Sequence, residues 1–87
     1  MNEYEQLFTE DVWNRLKKRL KGKVFAGIRN DVMKVSVKCD EFYFEKTEEN
    51  MAKKIVTGEI KSSDFAYEFE KEYKTYLQEQ INKRLFY

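Results

Sequence analysis

Between Lys23 and Glu45 the chain alternates apolar and polar residues, and two polar dipeptides, Asn30-Asp31 and Asp40-Glu41, interrupt the alternation where two-residue hairpin loops belong. The pattern predicts a three-stranded antiparallel meander with Val32 to Cys39 as its middle strand. Pairing across both loops sets Ile28 against Met33, Ala26 against Val35, Val24 against Val37, Val37 against Phe44 and Cys39 against Phe42, all apolar. The opposite parity carries Phe25, Gly27, Arg29, Val32, Lys34, Ser36, Lys38, Tyr43 and Glu45, which is mostly polar. A slip of one residue in either hairpin would mix the two sets, so the register is specified by the sequence. One face belongs to the core. The other is open.

Helical periodicity flanks the sheet. From Asn2 to Lys21, Tyr4, Phe8, Val12, Leu16 and Leu20 recur every four positions, with Leu7 and Trp13 on the same broad stripe. Asn2 followed by Glu5 reads as a capping box, and Gly22 follows a cationic last turn where a positive φ is wanted. After the sheet, Thr47 is expected to cap a short helix carrying Met51, Ala52, Ile55 and Val56 and ending at Gly58. Ser62, Ser63 and Asp64 offer a further cap. Phe65, Phe69, Tyr73, Leu77, Ile81 and Leu85 then mark a long third helix, with Ala66 and Tyr76 beside them. The fold class expected is α+β, one small domain over residues 1–87 in the order α-β-β-β-α-α, with the helices packed on one face of the sheet.

Composition narrows the chemistry. The 87 residues hold a single cysteine, Cys39, and no histidine, which removes intramolecular disulfides, multi-thiolate zinc sites and histidine acid–base catalysis. Cys39 lies on the apolar parity and reads as an inert thiol. No cofactor or metal is expected, nor is an enzyme, because no two carboxylates are placed to converge in a pocket. No stretch has the form of a signal peptide or membrane span, so a cytoplasmic location is expected.

The net charge of +1 conceals an asymmetry. Between Arg15 and Lys38 nine cations face one acid, Asp31. The candidate binding surface is therefore the open sheet face, Phe25, Arg29, Lys34, Ser36, Lys38 and Tyr43, with a secondary basic patch at Arg15, Lys18, Arg19 and Lys21. Cations beside exposed aromatics suit either a protein partner or a nucleic acid strand stacked on Phe25 and Tyr43. The same charges also solvate an open sheet and complement a helix dipole, and a pI near 7.7 is low for a dedicated nucleic-acid domain. The double-stranded RNA-binding fold has a related element order. Its final helix opens with phosphate-clamping small and basic residues, whereas Asp64, Glu68, Glu70 and Glu72 stand here. Trp13, Tyr67, Tyr76, Phe86 and Tyr87 exceed what the core stripes need, and they leave both a monomer and a homodimer open.

The Lys, Glu, Asn, Ile and Phe bias, the lack of Pro and His, and the passage VMKVSVKCDEFYFEKTEENMAKKIVTGEIKSSDFAYEFEKEY resemble small accessory proteins of phages and mobile elements in low-GC Gram-positive bacteria. The element order is also similar to that of a phage anti-CRISPR protein that occupies the DNA-recognition surface of an RNA-guided nuclease. That inhibitor is strongly acidic, whereas this chain is near neutral with a basic front half. The resemblance implies a non-enzymatic protein that docks on a protein partner, inhibiting a host system. The competing expectations are a nucleic-acid-binding module using the sheet face and a small homodimeric structural protein.

Overall fold

The computed structural model describes residues 2–85. Helix α1 (Glu3–Arg19) leads into a sheet of β1 (Lys23–Arg29), β2 (Val32–Cys39) and β3 (Phe42–Glu48), followed by helices α2 (Met51–Val56) and α3 (Ser62–Leu85). The strands lie in the order β1-β2-β3, both pairings antiparallel, and every pair expected from the alternation is present. Asn30 and Asp31 both take positive φ (53° and 63°), the conformation that a two-residue loop needs if its twist is to match the strands. Asn and Asp tolerate this better than other side chains.

Val12, Leu16, Met33, Val35, Val37, Met51 and Phe69 are fully buried between the sheet and the helices. Phe44 of β3 packs edge-on against Phe69 at 5.3 Å and lies 5.3 Å from the Tyr76 ring, fixing α3 across that strand. α1 and α3 run side by side in the same direction. Ser62 donates to Asp11 Oδ2 (2.5 Å), and two turns later Arg19 pairs with Glu70. α1 ends at Arg19, but α3 continues from Glu70 for four more turns, which accounts for the long axis of 46 Å.

Four-residue spacing overshoots a helical turn by about 40°, so an i, i+4 stripe winds around the helix. Phe65, Phe69 and Tyr73 are therefore buried, Leu77 is half-buried, and Ile81 and Leu85 are exposed. The same drift places Tyr4 in solvent and buries Glu5 and Thr9 in its stead, the Thr9 hydroxyl donating to the Glu5 carbonyl (2.7 Å). Leu7 lies on the far side of α1 and is exposed, as is Val56 on α2.

Two cap expectations are corrected. Asn2 does cap α1, accepting from the Glu5 amide at 2.8 Å. Thr47 does not cap α2; it is a strand residue opposite Lys34, because β2 has length enough to pair β3 as far as Glu48. Asn50 stands at the helix start with φ 56°, a geometry in which its side chain makes no cap bond. The cap comes from Asp31 instead, whose Oδ1 accepts the Ala52 amide (2.7 Å) and whose carbonyl accepts the Met51 amide (3.2 Å). Ser62 lies inside the first turn of α3, its hydroxyl committed to Asp11. Phe86 and Tyr87, expected as surplus aromatics, lie outside the described residues.

Candidate binding surface

The helices cover one face of the sheet, and strand parity delivers the opposite face to solvent. Phe25 on β1 and Tyr43 on β3 stand exposed to 55% and 47%, on either side of β2. Two strand spacings of about 4.8 Å separate them across the sheet, with Tyr43 offset along it by one pleat. Ser36 and Lys38 of β2 lie between them, and Gly27 lies on the far side of Phe25, level with Lys34. The Phe25 ring leans over Gly27 so closely that a Cβ there would stand 3.1 Å from the ring, which explains a glycine inside a strand.

Ser36 departs from expectation. Predicted as part of the open surface, it is buried, because Phe25 and Glu45 are its direct cross-strand neighbours and overhang so short a side chain. It lies beneath those two side chains. Arg29, Lys34, Lys38 and Tyr43 remain exposed as predicted, and Lys23 joins them at the start of β1.

Glu45 is the one acid among the strand positions of this face. Its carboxylate accepts from the Tyr43 hydroxyl (2.7 Å) and pairs with Lys34 Nζ (3.2 Å). Those contacts, the hydroxyl first and the ammonium second, hold the Glu45 carboxyl below its ordinary range, and the same pairing raises Lys34. Among the described residues, Lys23, Arg29 and Lys38 form no ion pair. The face thus offers two aromatic surfaces, a fixed Tyr-Glu-Lys group and three uncommitted cations.

The secondary basic patch is largely spoken for. Arg15 pairs with Asp11 (2.8 Å), and Arg19 reaches the carboxylate of Glu70, which Lys74 also contacts at 3.0 Å. Glu70 is buried, and its carboxyl is held low by the Arg19 guanidinium first and Lys74 after it. Asp11 is lowered by the Ser62 hydroxyl and then by Arg15. Lys18 lines the cleft between α1 and α3 beside these pairs, and Lys21 lies past the end of the helix. Of these contacts, Ser62–Asp11 and Arg19–Glu70 staple the two helices together.

Trp13 also has a structural task that its spacing alone did not disclose. Its indole N–H donates to the Val24 carbonyl (3.1 Å), closing part of the outer edge of β1, while Lys17 lies over the ring at 4.3 Å. Cys39 is half-buried at the end of β2, and among the described residues no three metal-ligating side chains come together. None of the described helices is long and apolar enough to cross a membrane. Comparison with protein-family models, curated proteins and solved structures finds no match.

Proposed function

We propose that this chain is a non-enzymatic binding protein that docks on a protein partner through the open face of its sheet. The observation that carries this reading is the exposure of two aromatics, Phe25 and Tyr43, on one face of the sheet with Arg29, Lys34, Lys38 and Lys23 around them. Aromatic and arginine side chains are the groups that most often anchor protein interfaces, and a sheet presents them on a backbone that is already ordered. Uncommitted cations make an acidic partner surface the complement. The carboxylates with lowered pKa are each held by a structural partner: Asp11 and Glu70 between helices, Glu41 by Arg84, Glu45 by Tyr43 and Lys34. Such ion pairs stabilise a scaffold and do not activate a substrate. A phage or mobile-element accessory role is the biological setting we attach, supported by the compositional resemblance.

A second reading has support from the same face. Phe25, Tyr43, Lys34 and Lys38 are exposed together, the arrangement a single-stranded nucleic acid needs for stacking and phosphate contact. The two are separated by capturing partners from host lysate with the wild type and with Phe25→Ala/Tyr43→Ala, beside titration of a fluorescent single-stranded oligonucleotide over a range of salt. Protein docking predicts a captured protein that the double variant loses, and weak oligonucleotide binding. Tight binding to the oligonucleotide that falls steeply with salt and is lost in the double variant would replace it with the second reading.

A further inference from the structure

The two edges of the sheet are finished differently. β1 is overlain by α1, and the Trp13 indole takes up its outward Val24 carbonyl. β3 has no such cover. In a two-residue hairpin the residues flanking the loop exchange ladder hydrogen bonds, and bonded and non-bonded pairs alternate from there. Cys39 and Phe42 flank the second loop, so Phe42, Phe44, Lys46 and Glu48 bond to β2. Tyr43, Glu45 and Thr47 therefore direct their main-chain N–H and C=O groups away from the sheet. Among the described residues nothing bonds to them.

A groove of about 510 Å³ runs beside this edge, between β3 and α3. Phe44 and Tyr76 give it an apolar lining, Thr75 and Glu79 lie on its helical side, and the Lys46–Glu72 ion pair (2.8 Å) ties β3 to α3 within it. An unpaired strand edge with a helix alongside is the geometry in which an extended peptide adds as a further strand.

We propose that the β3 edge accepts an extended segment of a partner protein by strand addition, its main chain bonding to Tyr43, Glu45 and Thr47. Alternate side chains of the segment enter the groove over Phe44 and Tyr76 and are apolar. The side chain opposite Glu45, on the open side, is basic. Only another extended main chain matches donors and acceptors repeating along a strand at about 3.4 Å per residue. A second copy of this chain is a poor match: the one two-fold register that uses all three residues sets Glu45 against Glu45, and like charges directly opposite destabilise a pair. Lys46, turned to the helix side of an edge strand, discourages indiscriminate pairing in the same way. The proposal stands apart from the reading of the open face.

Selection of short random peptides displayed on phage against the full chain, followed by amide NMR with the enriched peptides, tests it. Enriched sequences are expected to alternate apolar with basic or polar residues, and to shift and slow exchange of the Tyr43, Glu45 and Thr47 amides. Thr47→Pro removes an outward donor but no ladder bond to β2, and should weaken binding about tenfold, the effect of one lost main-chain hydrogen bond. Should that variant unfold, the peptide itself carries the test: N-methylation at residues facing β3 abolishes binding, and at the alternate residues it does not. Phe25→Ala and Lys38→Ala leave binding unchanged, which keeps failure here distinct from failure of the open-face reading. The proposal is overturned if no peptide is enriched, if enriched peptides shift the Phe25 and Lys38 region instead, or if both N-methylated series bind equally. A sedimenting dimer with these amides protected before any peptide is added would make the occupant a second copy and overturn it too.

Discussion

Asp31 and Ala52 are joined by a hydrogen bond of 2.7 Å from the Ala52 amide to the Asp31 carboxylate, so a residue of the first hairpin turn caps a helix that begins twenty positions later. One side chain thus satisfies a loop conformation (φ 63°) and an orphan helix donor. It ties the tip of the meander to α2, and through the buried Met51 to the core.

Asp31→Ala loses both roles and is expected to cost about 2 kcal/mol, roughly half from the cap and half from left-handed strain. Asp31→Asn keeps an acceptor oxygen and tolerates the turn, so its cost should stay under about 0.5 kcal/mol. Urea denaturation of the two variants decides it; equal losses would mean the cap contributes nothing.

Gly22 and Gly58 both take positive φ, 110° and 74°, but only one is crowded. A Cβ on Gly22 would collide with the Lys38 carbonyl oxygen, whereas one on Gly58 meets nothing within 4 Å. Gly58→Ala should cost about 1 kcal/mol, the conformational strain alone, and Gly22→Ala about 2 kcal/mol or more. Thermal unfolding of the pair is the measurement, and a reversed order would refute the steric account.

Glu70 gives the fold an acid sensitivity of defined sign. Its folded carboxyl titrates below the ordinary value of 4.5, chiefly because of Arg19, so the unfolded chain binds the proton more readily. The stabilisation is complete above that ordinary value and is lost as pH falls through the lowered folded one. Glu70→Gln is expected to be less stable than wild type by about 1 to 3 kcal/mol at neutral pH, with the gap narrowing as the solution is acidified through that window. Asp11, Glu41 and Glu45 shift in the same direction in both proteins, so the difference isolates Glu70. A gap independent of pH would show that the charge is not what is lost.

Trp13→Phe keeps the ring but removes the donor to the Val24 carbonyl. A loss of about 1 kcal/mol is expected, with greater self-association in light scattering as the β1 edge opens. Unchanged stability and unchanged scattering would mean that the edge is guarded by α1 alone.

Phe25→Ala and Tyr43→Ala, by contrast, should each cost no more than about 1 kcal/mol, since both side chains are about half exposed. Loss of binding without loss of fold is what marks them as site residues. A large destabilisation by Phe25→Ala would instead mean that its cover over Gly27 and Ser36 is needed for the fold.

The meander, its register and its two faces were legible in the residues because strand parity is a local rule: Val35 and Val37 point one way, Lys34 and Lys38 the other, whatever packs above them. The helices were legible as elements but less so as faces. Four-residue spacing drifts around a helix, and only the packed structure shows that Phe69 and Tyr73 reach the core while Ile81 and Leu85 do not. The candidate surface followed the sheet, so Phe25, Arg29, Lys34, Lys38 and Tyr43 could be named in advance. Ser36 could not, because its burial depends on the length of its neighbours across the strands. The Asp31 cap, the Arg19–Glu70 staple and the Trp13 closure of one sheet edge join residues from different elements of the chain. Sequence periodicity fixes which way a side chain points from its own element. Which element it meets depends on how the elements dock, and that is decided only when the core closes.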